Sequence, residues 1–170
     1  MRRPLRFAGP HRRGAGGGLH RAALGLHAEF ELFVQLATAD QADYADWQQM
    51  VETNILGLLT VTRTLLPGMK ARGRGHIINV SSMAGNYHYA GANVYGASKA
   101  FVTYFSLALR ADLLGSPVRV TNIEPGMVTD TEFSEVRFKG NAAQAQTVYH
   151  GLTPLSAADI AEAICWAAAQ

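Results

Sequence analysis

The strongest constraint in this sequence is the order of three segments between His76 and Ile123. His76-Ile-Ile-Asn-Val-Ser81 is a short β-branched run, the pattern of a buried strand. Tyr95 to Leu114 follows, with Ala97, Ala100, Phe101, Tyr104, Phe105, Ala108 and Ala111 at three- and four-residue intervals, the period of a helix. Leu107, Leu109 and Leu113 add apolar surface on other sides, so this helix is expected to pack against a sheet and against something else as well. Gly115 stops it, and Val118-Arg-Val-Thr-Asn-Ile123 reads as a second strand ending at Pro125-Gly126. Strand, helix, strand is a βαβ crossover. It implies an α/β fold with two adjacent parallel strands, a right-handed connection, and chemistry in the loops that leave the carboxyl ends of the strands.

The flanking segments add helices. Asp43 is placed to cap a helix carrying Trp47, Met50, Val51, Ile55, Leu58, Leu59 and Thr62 toward Leu66, where Pro67-Gly68 would end or kink it unless it continues to Lys70. Ser156 is placed to cap a last helix, Ala157 to Ala169. Phe30, Phe33, Val34 and Ala37 have helical spacing within Ala28 to Ala39. Before them, residues 1–28 hold six arginines, no acid, and Gly14, Gly16, Gly17 and Gly18 without a preceding apolar run, which reads as coil. The texture changes near residue 40. Residues 1–40 are therefore expected to be a basic, glycine-rich, disordered or aberrant N-terminus, and residues 41–170 the folded part.

Composition narrows the classes. With 170 residues, 48% apolar and 16% charged, the chain has one domain's worth of core. Its longest apolar stretches, such as Ala163 to Ala169, fall far short of the roughly 20 residues of a bilayer span. Cys165 is the single cysteine, and no His or Cys pair has zinc-ligand spacing, so no metal and a reducing, cytoplasmic setting are expected. Beyond residue 28 there are nine basic and thirteen acidic residues, an acidic balance that argues against a nucleic-acid surface.

Polar residues gather where the crossover predicts chemistry. Ser81 and Ser82 end the first strand; Tyr95 and Lys99 are one turn apart at the start of the long helix. Asn54 with Gly57, Val80-Ser-Ser82, Tyr95-x-x-x-Lys99 thirteen residues after Ser82, and Pro125-Gly126 together resemble the catalytic half of a short-chain dehydrogenase/reductase, over about residues 44–168. Within that family, Asn93-Val-Tyr-Gly-Ala-Ser-Lys-Ala-Phe101, Ile123-Glu-Pro-Gly126, Thr131-Glu-Phe-Ser134 and Val136-Arg-Phe-Lys-Gly140 are similar to the NADP-dependent 3-hydroxy acid (serine) dehydrogenases.

The chemistry suits these residue types. Hydride transfer at a carbinol carbon requires the alcohol proton to move too, and a phenol with a reference pKa near 10 needs tuning for that task. An ammonium roughly 5 Å away, at an effective dielectric of about 20, supplies about 3 kcal/mol. Lys99 would thus activate Tyr95, while Ser82 would donate to the substrate oxygen. The resemblance further implies that Lys99 meets the nicotinamide ribose, that Asn54 holds a water joining Lys99 to a proton relay, and that Pro125 and Gly126 turn under the nicotinamide. It also implies that Val128 offers backbone groups to the carboxamide. Thr131 would reach a phosphate, with Thr129 and Asp130 as close alternatives, and Arg137 would either pair with a substrate carboxylate or be a solvated arginine.

The implied cofactor is NADP, with NAD left open. The implied partners are a small hydroxy acid or its oxo form and further copies of the chain, as a homodimer or homotetramer through helices 44–66 and 95–114. The sequence also departs from the resemblance. The family's opening strand, its T-G-x-x-x-G-x-G turn, its ribose selector and its N-N-A-G turn are not found, and neither is its final strand. The expected fold is therefore a partial Rossmann-like, doubly wound sheet lacking its dinucleotide-binding half, with an unpaired edge exposing Ile77, Ile78 and Val80. Two other readings compete. Gly96-Ala-Ser98-Lys-Ala100 weakly resembles a hydrolase nucleophile elbow, and an inactive remnant could act as a helix-mediated interaction module.

Overall fold

The computed structural model describes residues 33–129 and 149–170. In chain order these form α1 (Tyr44–Val51), a π-helical segment (Glu52–Gly57), α2 (Leu58–Ala71), β1 (Gly75–Val80), a 3-10 turn (Met83–Gly85), α3 (Asn93–Asp112), β2 (Val118–Ile123) and α4 (Ala157–Ala169). β1 and β2 are adjacent and parallel, with Gly75 opposite Val118 and Val80 opposite Ile123. The ladder extends one step beyond β1, because the Ser81 N–H donates to the Ile123 carbonyl at 2.8 Å. The two strands are therefore adjacent and parallel as expected, with α3 starting and ending two residues earlier than its periodic pattern.

The first long helix takes the second of its two expected courses, continuing past Pro67 to Ala71. Asp43 caps it, accepting from the Ala45 N–H at 2.9 Å. The helix passes through the π-helical segment and then through Pro67, which is exposed, so the carbonyl left without a donor one turn earlier lies on a side open to water. The stop comes at Gly73, whose φ of 67° is left-handed. Its N–H reaches the Lys70 carbonyl at 3.1 Å and the Arg74 N–H reaches that of Met69 at 3.2 Å, a Schellman closure. At the other end of the chain Ser156 and Asp159 form a reciprocal capping box, and α4 spans the expected residues.

One face of the sheet makes the main core. Val118 and Val120 pack with Leu109 of α3 and with Leu113, the residue that caps its end, and Ile77, Leu66, Met69 and Phe105 close around them. A second cluster joins Val34, Met50 and Tyr95, flanked by Phe33, Leu36, Trp47, Ala84 and Val94. That cluster corrects two expectations. Residues 33–38 are not helical, and they belong to the packed body, which begins before the texture change near residue 40; Val34 is 1% exposed. Backbone and side-chain bonds hold the segment: the Ala37 N–H donates to the Gly91 carbonyl at 3.2 Å, and Asn93 Nδ2 donates to the Ala37 carbonyl at 2.8 Å.

The buried face of α3 also differs from the periodic alanine and aromatic stripe. Ala97, Tyr104, Ala108 and Ala111 are exposed, whereas Tyr95, Ser98, Lys99, Val102, Ser106 and Leu109 are buried. The polar members of the buried face are satisfied internally. Ser106 donates to the Val102 carbonyl at 2.7 Å and accepts from Asn79 Nδ2 at 2.8 Å, so their burial leaves no donor stranded. Leu109 and Leu113, placed on other sides by the sequence pattern, are core; Leu107 is exposed. At the open side of β1, Ile77 is packed and Ile78 is half-buried, leaving Val80 as the exposed apolar residue there.

Candidate active site

The loop after β1 is held tightly onto the first turns of α3. Ser82 is extended and caps the 3-10 turn, its Oγ accepting from the Ala84 N–H at 3.1 Å. Two glycines permit the contact. A Cβ on Gly96 would lie 2.8 Å from the Ala84 carbonyl oxygen, and one on Gly85 would lie 2.8 Å from the Ala100 nitrogen. Both neighbours are backbone, so any side chain would push turn and helix apart. Ala84 packs beside Tyr95 in the same cluster, which brings the Ser82 turn to the Tyr95 face of α3.

Tyr95 and Lys99 form the centre. Tyr95 is 4% exposed and Lys99 1%, with Lys99 Nζ 6.0 Å from the centroid of the Tyr95 ring. Nζ donates to the Val80 carbonyl at 2.9 Å, so the ammonium sits at the carboxyl end of β1, two residues before Ser82. Burial costs the charged form its hydration and lowers the Lys99 pKa from 10.5 to about 8. Lys99 thus remains mainly cationic at neutral pH while lying close to its titration range.

Asn54 lies in the π-helical segment and is 6% exposed. Such a widened turn inside a helix frequently accompanies a functional residue. Asn54 Nδ2 donates to the Phe33 carbonyl at 3.0 Å and to Ser98 Oγ at 3.1 Å, while its Oδ1 accepts from the Phe33 N–H at 3.3 Å. Both amide hydrogens are spent on protein, so the side-chain nitrogen has nothing left for a relay water; the second lone pair of Oδ1 and the backbone carbonyl are the groups suited to that task. Ser98 in turn donates to the Tyr95 carbonyl at 2.8 Å. The sequence reading missed Ser98 as a member of this cluster. A polar residue three positions after Tyr95, and so on the same helix face as Tyr95, was the available signal.

The Pro125-Gly126 turn meets this cluster from β2. The Met83 N–H donates to the Pro125 carbonyl at 3.0 Å, and a Cβ on Gly126 would approach Met83 Sδ to 3.1 Å. Val128 bridges in parallel to Leu155, and its carbonyl accepts from the Tyr149 hydroxyl at 2.8 Å, so that carbonyl is already engaged. Thr131, its alternative Asp130, and Arg137 lie outside the described residues. Among the described residues no group of three or more His, Cys, Asp or Glu is placed to hold a metal ion, and no helix is long and apolar enough to cross a membrane.

A buried Tyr-Lys pair, one turn apart at the start of a crossover helix, thus lies beside a serine turn at the carboxyl ends of two parallel strands. The short chain dehydrogenase family profile matches residues 31–142, and the chain belongs to that family. It is 55% identical over 137 residues to an NADP-dependent 3-hydroxy acid dehydrogenase, YdfG, of Salmonella typhi, covering 81% of this chain and 55% of that protein. It is 53% identical over 134 residues to a serine 3-dehydrogenase of Rhizobium radiobacter, covering 79% of this chain and 53% of the relative. Among solved structures, a closed form of serine dehydrogenase complexed with NADP+ superposes with a TM-score of 0.78 at 51% identity, covering 81% of this chain and 55% of that one. The chain thus spans about half the length of the curated relatives it matches.

Proposed function

We propose that this chain carries the catalytic half of an NADP-dependent oxidoreductase that moves a hydride between NADP and a small hydroxy acid or its oxo form. The observation that carries the reading is the buried Tyr95–Lys99 pair, held by close glycine contacts beside Ser82. Tyr95 would take or return the alcohol proton, and Lys99, cationic in a site shielded from water, would favour the phenolate. Ser82 would donate its hydroxyl hydrogen to the substrate oxygen, orienting it toward Tyr95. Arg137 would pair with the substrate carboxylate through its planar guanidinium.

The residues present suit the nicotinamide end of the dinucleotide. Gly126 offers a turn without a side chain just after β2, and Lys99 reaches the Val80 carbonyl at the end of β1. When bound, the nicotinamide supplies the hydride acceptor or donor, while Pro125, Gly126, the Val128 N–H and Thr131 would hold it in place. The glycine-rich turn that receives a dinucleotide pyrophosphate is not in this sequence.

Exposed apolar residues on the first long helix (Val51, 38%, and Leu56, 51%) and on α3 (Tyr104, 76%, and Leu107, 50%) support self-association through these helices as a dimer or tetramer. A cytoplasmic location accords with this reading. To test the function, residues 33–170 are joined to the portion of the Salmonella relative that precedes its matched stretch. The chimera should oxidise a 3-hydroxy acid with NADP+, and Tyr95→Phe should lower turnover by about 100-fold or more while leaving the fold intact. Full activity of Tyr95→Phe would overturn the assignment.

A further inference from the structure

We propose that Glu124 is a positioning residue whose carboxylate ties the Ser82 turn to the end of β2 and so fixes Ser82 relative to the Pro125-Gly126 turn. This rests on the reading of Ser82 as the serine of the site. Glu124 Oε1 accepts from Asn122 Nδ2 at 2.8 Å and from Thr103 Oγ1 at 3.1 Å, while Oε2 accepts from Asn86 Nδ2 at 2.8 Å. Asn86 is the C-cap of the 3-10 turn, Asn122 lies in β2 and Thr103 in α3, so one side chain joins three elements. Bonds to an ionised acceptor are roughly twice as strong as neutral ones.

The carboxylate also sets the direction of a hydroxyl chain. Because it only accepts, the single Thr103 hydroxyl hydrogen goes to Glu124. In the 2.6 Å contact between Ser81 and Thr103, Ser81 is then the donor, its one hydrogen directed there rather than to the Lys99 carbonyl 3.3 Å away. That leaves the Ser81 oxygen to accept the backbone N–H of Ser82. Orientation therefore passes from Glu124 through Thr103 and Ser81 to the backbone of Ser82. On the other side, the Met83 N–H is anchored to Pro125, the neighbour of Glu124.

The orientation of Asn122 gives independent support. Its Nδ2 is aimed at Glu124 and, at 3.2 Å, at Thr103, although this leaves its Oδ1 buried with no hydrogen-bond partner among the described residues. A buried acceptor is seldom left unpaired without compensation, and here the compensation is the pair of contacts to Glu124 and Thr103.

The test is amide hydrogen exchange and NMR on the full chain without cofactor or substrate, so its outcome is separate from that of the proposed chemistry. Glu124→Ala should accelerate exchange of the Met83, Asn86 and Tyr87 amides by about tenfold or more and shift the Ser82 amide resonance, leaving Ile77, Ile78 and α4 unchanged. Asn86→Asp, which sets two carboxylates face to face, should loosen the same amides, and adding Glu124→Gln should restore their protection by exchanging donor for acceptor. Unchanged exchange in Glu124→Ala, uniform acceleration across the strands and α4, or a double variant no better protected than Asn86→Asp would each overturn the proposal.

Discussion

Replacing Lys99 by methionine gives a direct measure of the energy stored in the site. Lys99 is 1% exposed, and burial lowers its pKa from 10.5 to about 8. Below pH 8 the ammonium is charged in both folded and unfolded chains, and above 10.5 it is neutral in both. Between these limits the unfolded chain binds a proton that the folded one does not, so the unfolding free energy rises with pH. At about 1.4 kcal/mol per pH unit, the full rise is about 3 kcal/mol. Lys99→Met conserves the length of the buried stem and removes the titration. Urea unfolding of both proteins, each also carrying Tyr95→Phe so that the neighbouring phenol does not titrate, followed by far-UV circular dichroism from pH 7 to pH 11, gives two stability curves whose difference reports Lys99. That difference should be flat up to about pH 8, shift by about 3 kcal/mol in favour of the protein that keeps Lys99 by pH 10.5, and then level off. Parallel curves across the range would show that Lys99 is well hydrated in the folded chain, and the argument for a water-poor site would fail.

Gly96→Ala should destabilise the fold by about 1 to 3 kcal/mol, because the added methyl meets the Ala84 carbonyl and not a movable side chain; an unchanged urea midpoint would refute this. Titration of the chain with NADPH, monitored by nicotinamide fluorescence, should show no saturable binding at micromolar concentration, since the pyrophosphate turn is not in the sequence; saturation in that range would show that another segment supplies it. Sedimentation should report a dimer or tetramer, and Tyr104→Glu together with Leu107→Glu should shift the distribution to monomer. A native chain that stays monomeric at high concentration would contradict the proposed helix interface.

The crossover was legible because its elements are long and announce their period: the β-branched runs at 76–81 and 118–123 became β1 and β2 within a residue. The same approach misplaced the buried face of α3. Apolar spacing favoured Ala97, Tyr104 and Ala108, whereas the buried face carries Ser98, Lys99 and Ser106. Periodicity counts apolar residues and takes no account of serines that satisfy themselves on the preceding turn, as Ser98 and Ser106 do. Pro67 left the end of the first long helix open, and of the two readings the continuation to Lys70 holds, since an exposed proline costs a helix one bond and the stop is the left-handed Gly73. Tyr95, Lys99 and Ser82 could be singled out from spacing, but the contacts of Asn54 could not. Its partner at residue 33 is remote in sequence, and the π-helical turn that holds it has no recognisable local signature.

The pair of hydrogen bonds between Asn54 and the backbone of Phe33 bears on where this chain can be cut and rejoined. Residues 33–37 close one side of the tyrosine cluster, so a boundary drawn at the first helix cap, Asp43, would uncover Tyr95 and strand the Asn54 amide. Recombination seams with any relative therefore belong upstream of Phe33. A crossover between positions 33 and 54 would inherit the backbone groups from one parent and the amide that satisfies them from the other, and would work only where both parents place them alike.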